Sequence, residues 1–370
     1  MIKVLFTIPN FDTAGSGKAL LNLAMGLDKS KFEAHIACLH NRGDFFVVVK
    51  ESGIPVHIFD YLSPARPIAK LLIKSWEISR ILKRIKPDII HSFHYSADYT
   101  EALAAKMAGI PWVFTKKNMS WGGASARAWK LRSYLAKGII VQNADMMNLF
   151  YPKKNTVKLI SRGINIENFA PKTPDNLIRQ KMQTALDDRL IICVANLVPV
   201  KGIEILLRAF KVLYLSYTNW KLWIIGDDSS EYGKNLKRWV LENDLQTKVI
   251  FSGKQSDIAA YLNHSEIFVL PTLGKGEGSP VAMLEAMANE KIVIGSAVPG
   301  IKDQLKEFPH HLFNPGNWED LKTKLEGFMK SPSSENQQLG KQFSELANRY
   351  FSIENEISQH EQFYQTILSA

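Results

Sequence analysis

The run Glu277-Gly-Ser-Pro-Val-Ala-Met-Leu-Glu285 holds two carboxylates with seven residues between them. The first sits in a Gly-rich loop, GKGEGSP, and the second belongs to the helical stretch that follows. Ser279 is suited to a helix N-cap and Pro280 to a first helical position, so the helix is predicted to begin there, with Glu285 in its second turn. Gly278, Ser279 and the first free N–H groups of the helix would then lie between the carboxylates. A helix N-terminus offers an anion both backbone donors and the positive end of the dipole. Two carboxylates flanking that anion would hold hydroxyls on either side of it. A ligand built of sugar, diphosphate and ribose fits this order of groups.

Four other places carry chemistry. Lys201-Gly202 follows an apolar strand-like run and precedes a helix, which suits a phosphate contact as well as a solvated helix start. The segment Pro9-Asn-Phe-Asp-Thr-Ala-Gly15-Ser16-Gly17-Lys18 is similar to a P-loop, but Asp12 and Ala19 stand where that loop needs Gly and Ser or Thr. An ATPase is excluded on that ground. A strand–Gly loop–helix with an anion site remains, as does a plain tight turn. Gly226-Asp227-Asp228 reads as a turn and helix cap in preference to a metal site, because no DxD or His/Asp cluster accompanies it. His91 and His94 close a strand, where one of them would face a ligand cleft or both would be structural.

These positions need a scaffold, and the alternation of short β-rich runs with helical patterns supplies an α/β class with parallel sheets. Strands are predicted at 3–8, 33–39, 56–59, 88–91, 112–115, 138–141 and 157–160. A second series falls at 190–195, 222–225, 249–251, 267–270 and 292–294. Helices are expected between them, including 18–26, 68–85 and 99–108. Residues 170–188 read as a connector. The expected domains are 1–168 and 169–350, both Rossmann-like and facing each other across a cleft, with a terminal helix over 351–370 packing on the body. Ligand sites in such sheets lie at the carboxyl ends of strands, where the Glu277 loop is expected.

The 370 residues are 46% hydrophobic and 22% charged, an ordinary globular composition, with no apolar run of the ~20 residues a membrane span needs. MIKVLFTIPN reads as a first strand and not as a signal peptide. Cys38 and Cys193 lie in apolar runs and are expected to be buried thiols, which points to a cytoplasmic protein. The formal charge of +10 is uneven: residues 1–165 hold 24 Lys+Arg against 11 Asp+Glu, and the remainder 22 against 25. No acid occurs from Ala102 to Ala144, where Lys106, Lys116, Lys117, Arg127, Lys130, Arg132 and Lys137 fall. A second basic stretch runs from Arg66 to Lys86, with Glu77 as its one acid. Such a half attracts anionic lipid or a phosphorylated substrate, unless the clusters are solvated helix faces. Nucleic acid is disfavoured, since no binding-fold signature accompanies the charge.

Taken together, the chain resembles the family 4 retaining glycosyltransferases of GT-B fold over nearly its whole length. The resemblance rests on Gly15–Gly17, on the PDIIH segment Pro87–His91 and on Ala136-Lys-Gly-Ile-Ile140. It continues with Val200-Lys201-Gly202, Phe251-Ser-Gly253 and Leu270-Pro-Thr272, and is most specific in EGSPVAMLEAMA from Glu277. It implies a nucleotide diphosphate sugar donor, UDP- or GDP-linked, with no cofactor and no metal. Glu285 would hold ribose and Glu277 the sugar. Lys201 would hold the diphosphate, with the N–H groups of Gly278, Ser279 and Val281 beside Pro280. The backbone around Lys254 would face the base, and Gly15, Ser16 and Gly17 the donor phosphate and acceptor. Lys201, Glu277 and His94 are the candidate catalytic residues. The acceptor would be a saccharide or lipid-linked saccharide, with peripheral contact to anionic membrane through the basic half and through Trp76, Trp121 or Trp129.

The chain departs from the family pattern where Ala195-Asn196-Leu197 replaces a G-R-L run, leaving Asn196 at a donor position without its cation. Lys254, Lys275 or Arg162 would substitute. Ser279 stands where Phe is common, and Arg162-Gly163-Ile164-Asn165 replaces an N-G-V/I-D run. A sugar-nucleotide epimerase and a non-catalytic binding protein on the same scaffold are the competing readings.

Overall fold

The computed structural model describes residues 1–370 except 13, 121–124, 155, 275 and 370. Trp121 and Lys275 therefore lie outside the described residues. In chain order the elements begin β1 (Ile2–Thr7), α1 (Ala14–Gly26), β2 (Phe32–Cys38), α2 (Asp44–Glu51), β3 (Val56–Ile58), α3 (Ile68–Ile85) and β4 (Ile89–Ser92). There follow α4 (Thr100–Ala108), β5 (Trp112–Lys116), α5 (Ala126–Leu135), β6 (Gly138–Val141), α6 (Ala144–Phe150) and β7 (Val157–Leu159). The second series is α7 (Asn176–Lys181), β8 (Arg189–Val194), α8 (Ile203–Leu213), β9 (Trp220–Ile225), α9 (Glu231–Glu242), β10 (Val249–Gly253), α10 (Ile258–Leu262) and β11 (Ile267–Leu270). It ends with α11 (Val281–Ala288), β12 (Ile292–Ser296), α12 (Ile301–Gln304), β13 (Leu312–Phe313), α13 (Trp318–Lys330), α14 (Ser333–Phe351) and α15 (Ile353–Ser369).

Two compact units result: residues 1–161 with 353–370, and residues 162–352. The first holds a seven-stranded sheet in the order β3-β2-β1-β4-β5-β6-β7, the second a six-stranded sheet in the order β10-β9-β8-β11-β12-β13. Every strand pairing is parallel. Strands buried on both faces read as continuous apolar runs, as β8 and β11 do. Each chain path leaves a central strand in one direction and returns on its other side. That reversal makes a switch point between β1 and β4 in the first sheet and between β8 and β11 in the second.

The 170–188 connector departs from expectation by carrying α7, whose first turn is capped by the Asp175 carboxylate accepting from Leu177 N. The unit boundary falls at 161/162, not 168/169. At 353 the chain leaves the second unit, where Ile164 bridges Ser352 and donates its N–H to Phe351 O. The terminal helix α15 buries Phe363, Tyr364 and Ile367 in the first unit's core beside α1. Cys38 and Cys193 are buried free thiols, and burial pushes them up to about 11 and about 12. No helix among the described residues is long and apolar enough to cross a membrane.

Candidate active site

In the second unit the candidate residues gather at the carboxyl ends of β8 and β11, on either side of the switch point. Beyond β8 a 3-10 turn at Pro199–Lys201 ends on Gly202, whose φ of +61° lies in the left-handed region. A Cβ at Gly202 would meet Pro271 O at 2.4 Å, so glycine is required there both by conformation and by contact. The close approach is sealed by Leu273 N donating to Val200 O at 2.7 Å. It brings the Lys201 side chain onto the loop beyond β11.

There Lys201 Nζ donates to Glu277 Oε1 at 2.5 Å, and Thr272 Oγ1 donates to the same oxygen at 2.7 Å. The two charged side chains are 18% and 17% exposed, enough for a ligand to reach them while most solvent is excluded. Glu277 is held from behind by its own N–H donating to Pro299 O. Gly300, at φ +82°, lets the loop beyond β12 close on the carbonyls of Glu277 and Gly278, where a Cβ would sit 2.7 and 2.9 Å away. Glu277 and Lys201 are thus fixed by the ends of three strands and do not swing freely.

The helix start differs from the sequence expectation. α11 begins at Val281, Pro280 is its N-cap, and no side chain caps it. The Ser279 hydroxyl is engaged elsewhere, by Gln304 Nε2 at 3.1 Å and Arg162 N at 3.3 Å. A residue preceding proline is steered to extended conformation, which moves the cap one position along. The first turn of α11 is left without a side-chain cap beside the Lys201–Glu277 pair. Glu285 lies half-buried in the second turn. Asn196 and Lys254 are exposed beyond β8 and β10. Asp228 pairs with Lys237 at 2.6 Å, and Asp227 accepts from Ser229 N. Among the described residues no three His, Cys, Asp or Glu side chains gather as a metal site.

The first unit also places its candidates at a switch point, but with different surroundings. Gly15, Ser16 and Gly17 do not form a loop: α1 starts at Ala14, four residues earlier than expected. Gly17 is buried, and a Cβ there would meet Phe11 Cδ1 at 2.8 Å, so its small size serves packing. Across the switch point His91 is fully buried, hydrogen-bonded to Tyr364 Oη at 2.6 Å and Thr115 Oγ1 at 2.8 Å. It anchors α15, and only His94 remains as a candidate. His94 is itself buried, and its Nδ1 has no hydrogen-bond partner. Burial first, then the charges of Arg132 and Lys117, hold its imidazole down at about 3, so it is neutral at physiological pH.

Arg132, read from sequence as part of a basic surface, is fully buried. Its guanidinium donates to the carbonyls of His94 (2.8 Å), Ser96 (2.7 Å) and Asp98 (2.9 Å) and to Ser92 Oγ (3.2 Å). It thereby ties down the loop that carries His94. Glu101, also buried, supplies the counter-charge and accepts from Thr7 Oγ1 and Ser92 Oγ. Trp129 stacks inside this core beneath Arg132 and does not reach the surface. Thr272, Gln304, Arg132 and Glu101 had no place among the sequence candidates. The signal for Arg132 was an acid-free run read for its charge alone, that for Thr272 the Leu270-Pro-Thr272 segment read only as part of the resemblance, and no spacing rule points to Gln304 or Glu101.

The family profile described as "Glycosyl transferases group 1" matches residues 175–345, and that described as "Glycosyltransferase Family 4" matches residues 13–168. An uncharacterised glycosyltransferase of Haemophilus influenzae is 26% identical over 346 residues, spanning 90% of this chain and 92% of its own. The UDP-Gal:alpha-D-GlcNAc-diphosphoundecaprenol alpha-1,3-galactosyltransferase of Escherichia coli is 25% identical and spans 76% of this chain and 78% of its own. Among solved structures, Anabaena HepE in complex with UDP and glucose matches with a TM-score of 0.82 at 18% identity, covering 99% of this chain and 100% of its own. Two parallel sheets with alternating helices, matched along the whole chain by such neighbours, make this a GT-B fold, and the chain belongs to the family 4 glycosyltransferases.

Proposed function

We propose that this chain is a retaining, metal-independent transferase that moves a hexose-like group from a UDP- or GDP-linked sugar to a hydroxyl of a saccharide or lipid-linked saccharide. The setting would be cell-surface polysaccharide or glycolipid synthesis at the inner membrane face. The observation that carries the reading is the Lys201–Glu277 pair held at the β8/β11 switch point beside the uncapped start of α11. A diphosphate leaving an anomeric carbon gains negative charge, and a fixed cation with aligned N–H groups stabilises it without reorganising. Lys201 and the N–H groups of Gly278, Ser279 and Val281 beside Pro280 serve that purpose. Glu277 orients Lys201 and accepts from sugar hydroxyls, and Glu285 takes the ribose.

Asn196 leaves one cation position unfilled. Arg162 is the substitute with most support, because its backbone already contacts Ser279 at the start of α11. The backbone at Lys254 is assigned to the base. Attack from the face of departure needs no carboxylate nucleophile, and Glu277 is engaged with a cation and not poised for one. The first unit is assigned to the acceptor, with Gly15, Ser16 and Gly17 in the first turn of α1 and a neutral His94 beyond β4. A structural neighbour solved in complex with UDP-glucose and a relative named for UDP-Gal and a diphosphoundecaprenol-linked sugar support a UDP-sugar as the first donor to try. The test is nucleoside diphosphate release from a panel of UDP- and GDP-sugars, with and without lipid-linked acceptors. Release that is unchanged in both Lys201→Ala and Glu285→Ala would sink the site assignment.

A further inference from the structure

The outer face of α3 exposes four large apolar side chains. Ile68, Leu72 and Trp76 follow one another at four-residue spacing and Ile73 lies beside them; they are 65%, 45%, 53% and 59% exposed. Leu71, Ser75, Ile78, Ser79 and Leu82 form the opposite, buried face. The helix therefore has a core-facing stripe and a second, exposed apolar stripe, of the kind that marks an interaction site.

The first two turns carry Ile68, Leu72 and Ile73 with Lys70 and Lys74 beside them, and the last two carry Arg80, Lys83 and Arg84, all three exposed. Arg66 and Lys70 flank the apolar end, and Glu77 is the helix's one acid. The Arg80 guanidinium lies 5.0 Å over the Trp76 ring, so cation and indole sit together as they do at a lipid interface. The acid-free run of 102–144 turns Lys116 and Arg132 into the core and leaves Lys106, Arg127, Lys130 and Lys137 exposed; α3 differs in joining its cations to four exposed apolar side chains.

We infer that the outer face of α3 docks on an anionic phospholipid bilayer, with Ile68, Leu72, Ile73 and Trp76 in the headgroup boundary and Arg80, Lys83 and Arg84 on lipid phosphates. This deepens the membrane-contact part of the proposed function and rests on that part alone.

The test is co-sedimentation of the full chain with vesicles of equal parts phosphatidylglycerol and phosphatidylcholine, and with phosphatidylcholine alone, while following tryptophan emission. The wild type binds the anionic vesicles with a blue shift, and added salt weakens the binding. Leu72→Glu/Ile73→Glu lowers apparent affinity by about tenfold or more, and Arg80→Glu/Arg84→Glu does the same without touching apolar groups. Circular dichroism confirms that each variant is folded, and the second pair stands if the first fails to fold. Wild type that ignores anionic vesicles would overturn membrane contact altogether. Wild type that binds while both pairs bind equally well would overturn α3 as the surface. Nucleoside diphosphate release in solution, the readout of the transferase reading, is expected to be the same in all of them.

Discussion

The two switch points use charge in opposite ways. In the second unit Lys201 and Glu277 meet at the surface end of the sheet, each less than one-fifth exposed but reachable. In the first unit Arg132 and Glu101 are sealed in the core, and their hydrogen bonds go to the chain's own carbonyls and hydroxyls. A charge whose partners are all carbonyls and hydroxyls of the surrounding core fixes a loop, whereas one paired at a rim is left with a face for a ligand. The difference separates structural from functional charge better than residue type does, since each unit sets one basic residue against one acidic residue.

The sharpest break in that comparison comes from removing one member on each side. Arg132→Met leaves Glu101 buried without its cation and is expected to lower the unfolding free energy by about 3–5 kcal/mol, read by urea denaturation. A loss below about 1 kcal/mol would mean the buried pair is not structural. Lys201→Ala is expected to behave inversely. Donor turnover falls by about 10²–10³, as for loss of one preorganised donor at a developing oxyanion, while the unfolding midpoint hardly moves. A large stability loss with unimpaired turnover would place Lys201 with Arg132.

Acid sharpens the first-unit side. The His94 imidazole is held at about 3 in the folded chain, against about 6.5 when unfolded. The unfolded state therefore takes the proton first. His94 adds stability that is fully present above about pH 6.5 and is lost as pH falls from there toward 3. His91 and His311 are shifted the same way by burial. Urea midpoints at neutral and acid pH should thus diverge in the wild type and diverge less in His94→Gln; an equal divergence would show that His94 titrates normally. The smallest effect is expected at Ser279. As an N-cap, its change to Ala would cost about 1 kcal/mol, but here its hydroxyl serves Gln304 and Arg162 N, so the helix start itself should be little affected. Amide exchange at Val281–Met283 that rises sharply in Ser279→Ala would restore the capping role.

Strand positions were legible because parallel strands buried on both faces must be apolar along their length; β6 and β11 match their expected ranges end to end. Helix α3 was legible for a related reason, a 3.6-residue apolar period over eighteen residues. Starts of helices were less so. α1 absorbed Gly15–Gly17 because nothing local forbids helix there, and α11 lost Ser279 as a cap because tertiary partners took the hydroxyl. β13, two residues long, has no periodicity to read.

For the site, the sequence by itself determined which loops matter: the strand–loop–helix grammar puts Lys201 and Glu277 at carboxyl strand ends, and EGSPVAMLEAMA fixes the family. Only the tertiary structure decided that those two side chains meet, across 76 residues of chain, because the meeting depends on β8 and β11 being neighbours and on Gly202 admitting Pro271 O. It also decided that Arg132 and Trp129 turn inward while Trp76 turns outward. Residue type sets the charge or the ring, but burial depends on which elements pack over it, and that is a property of the assembled layers.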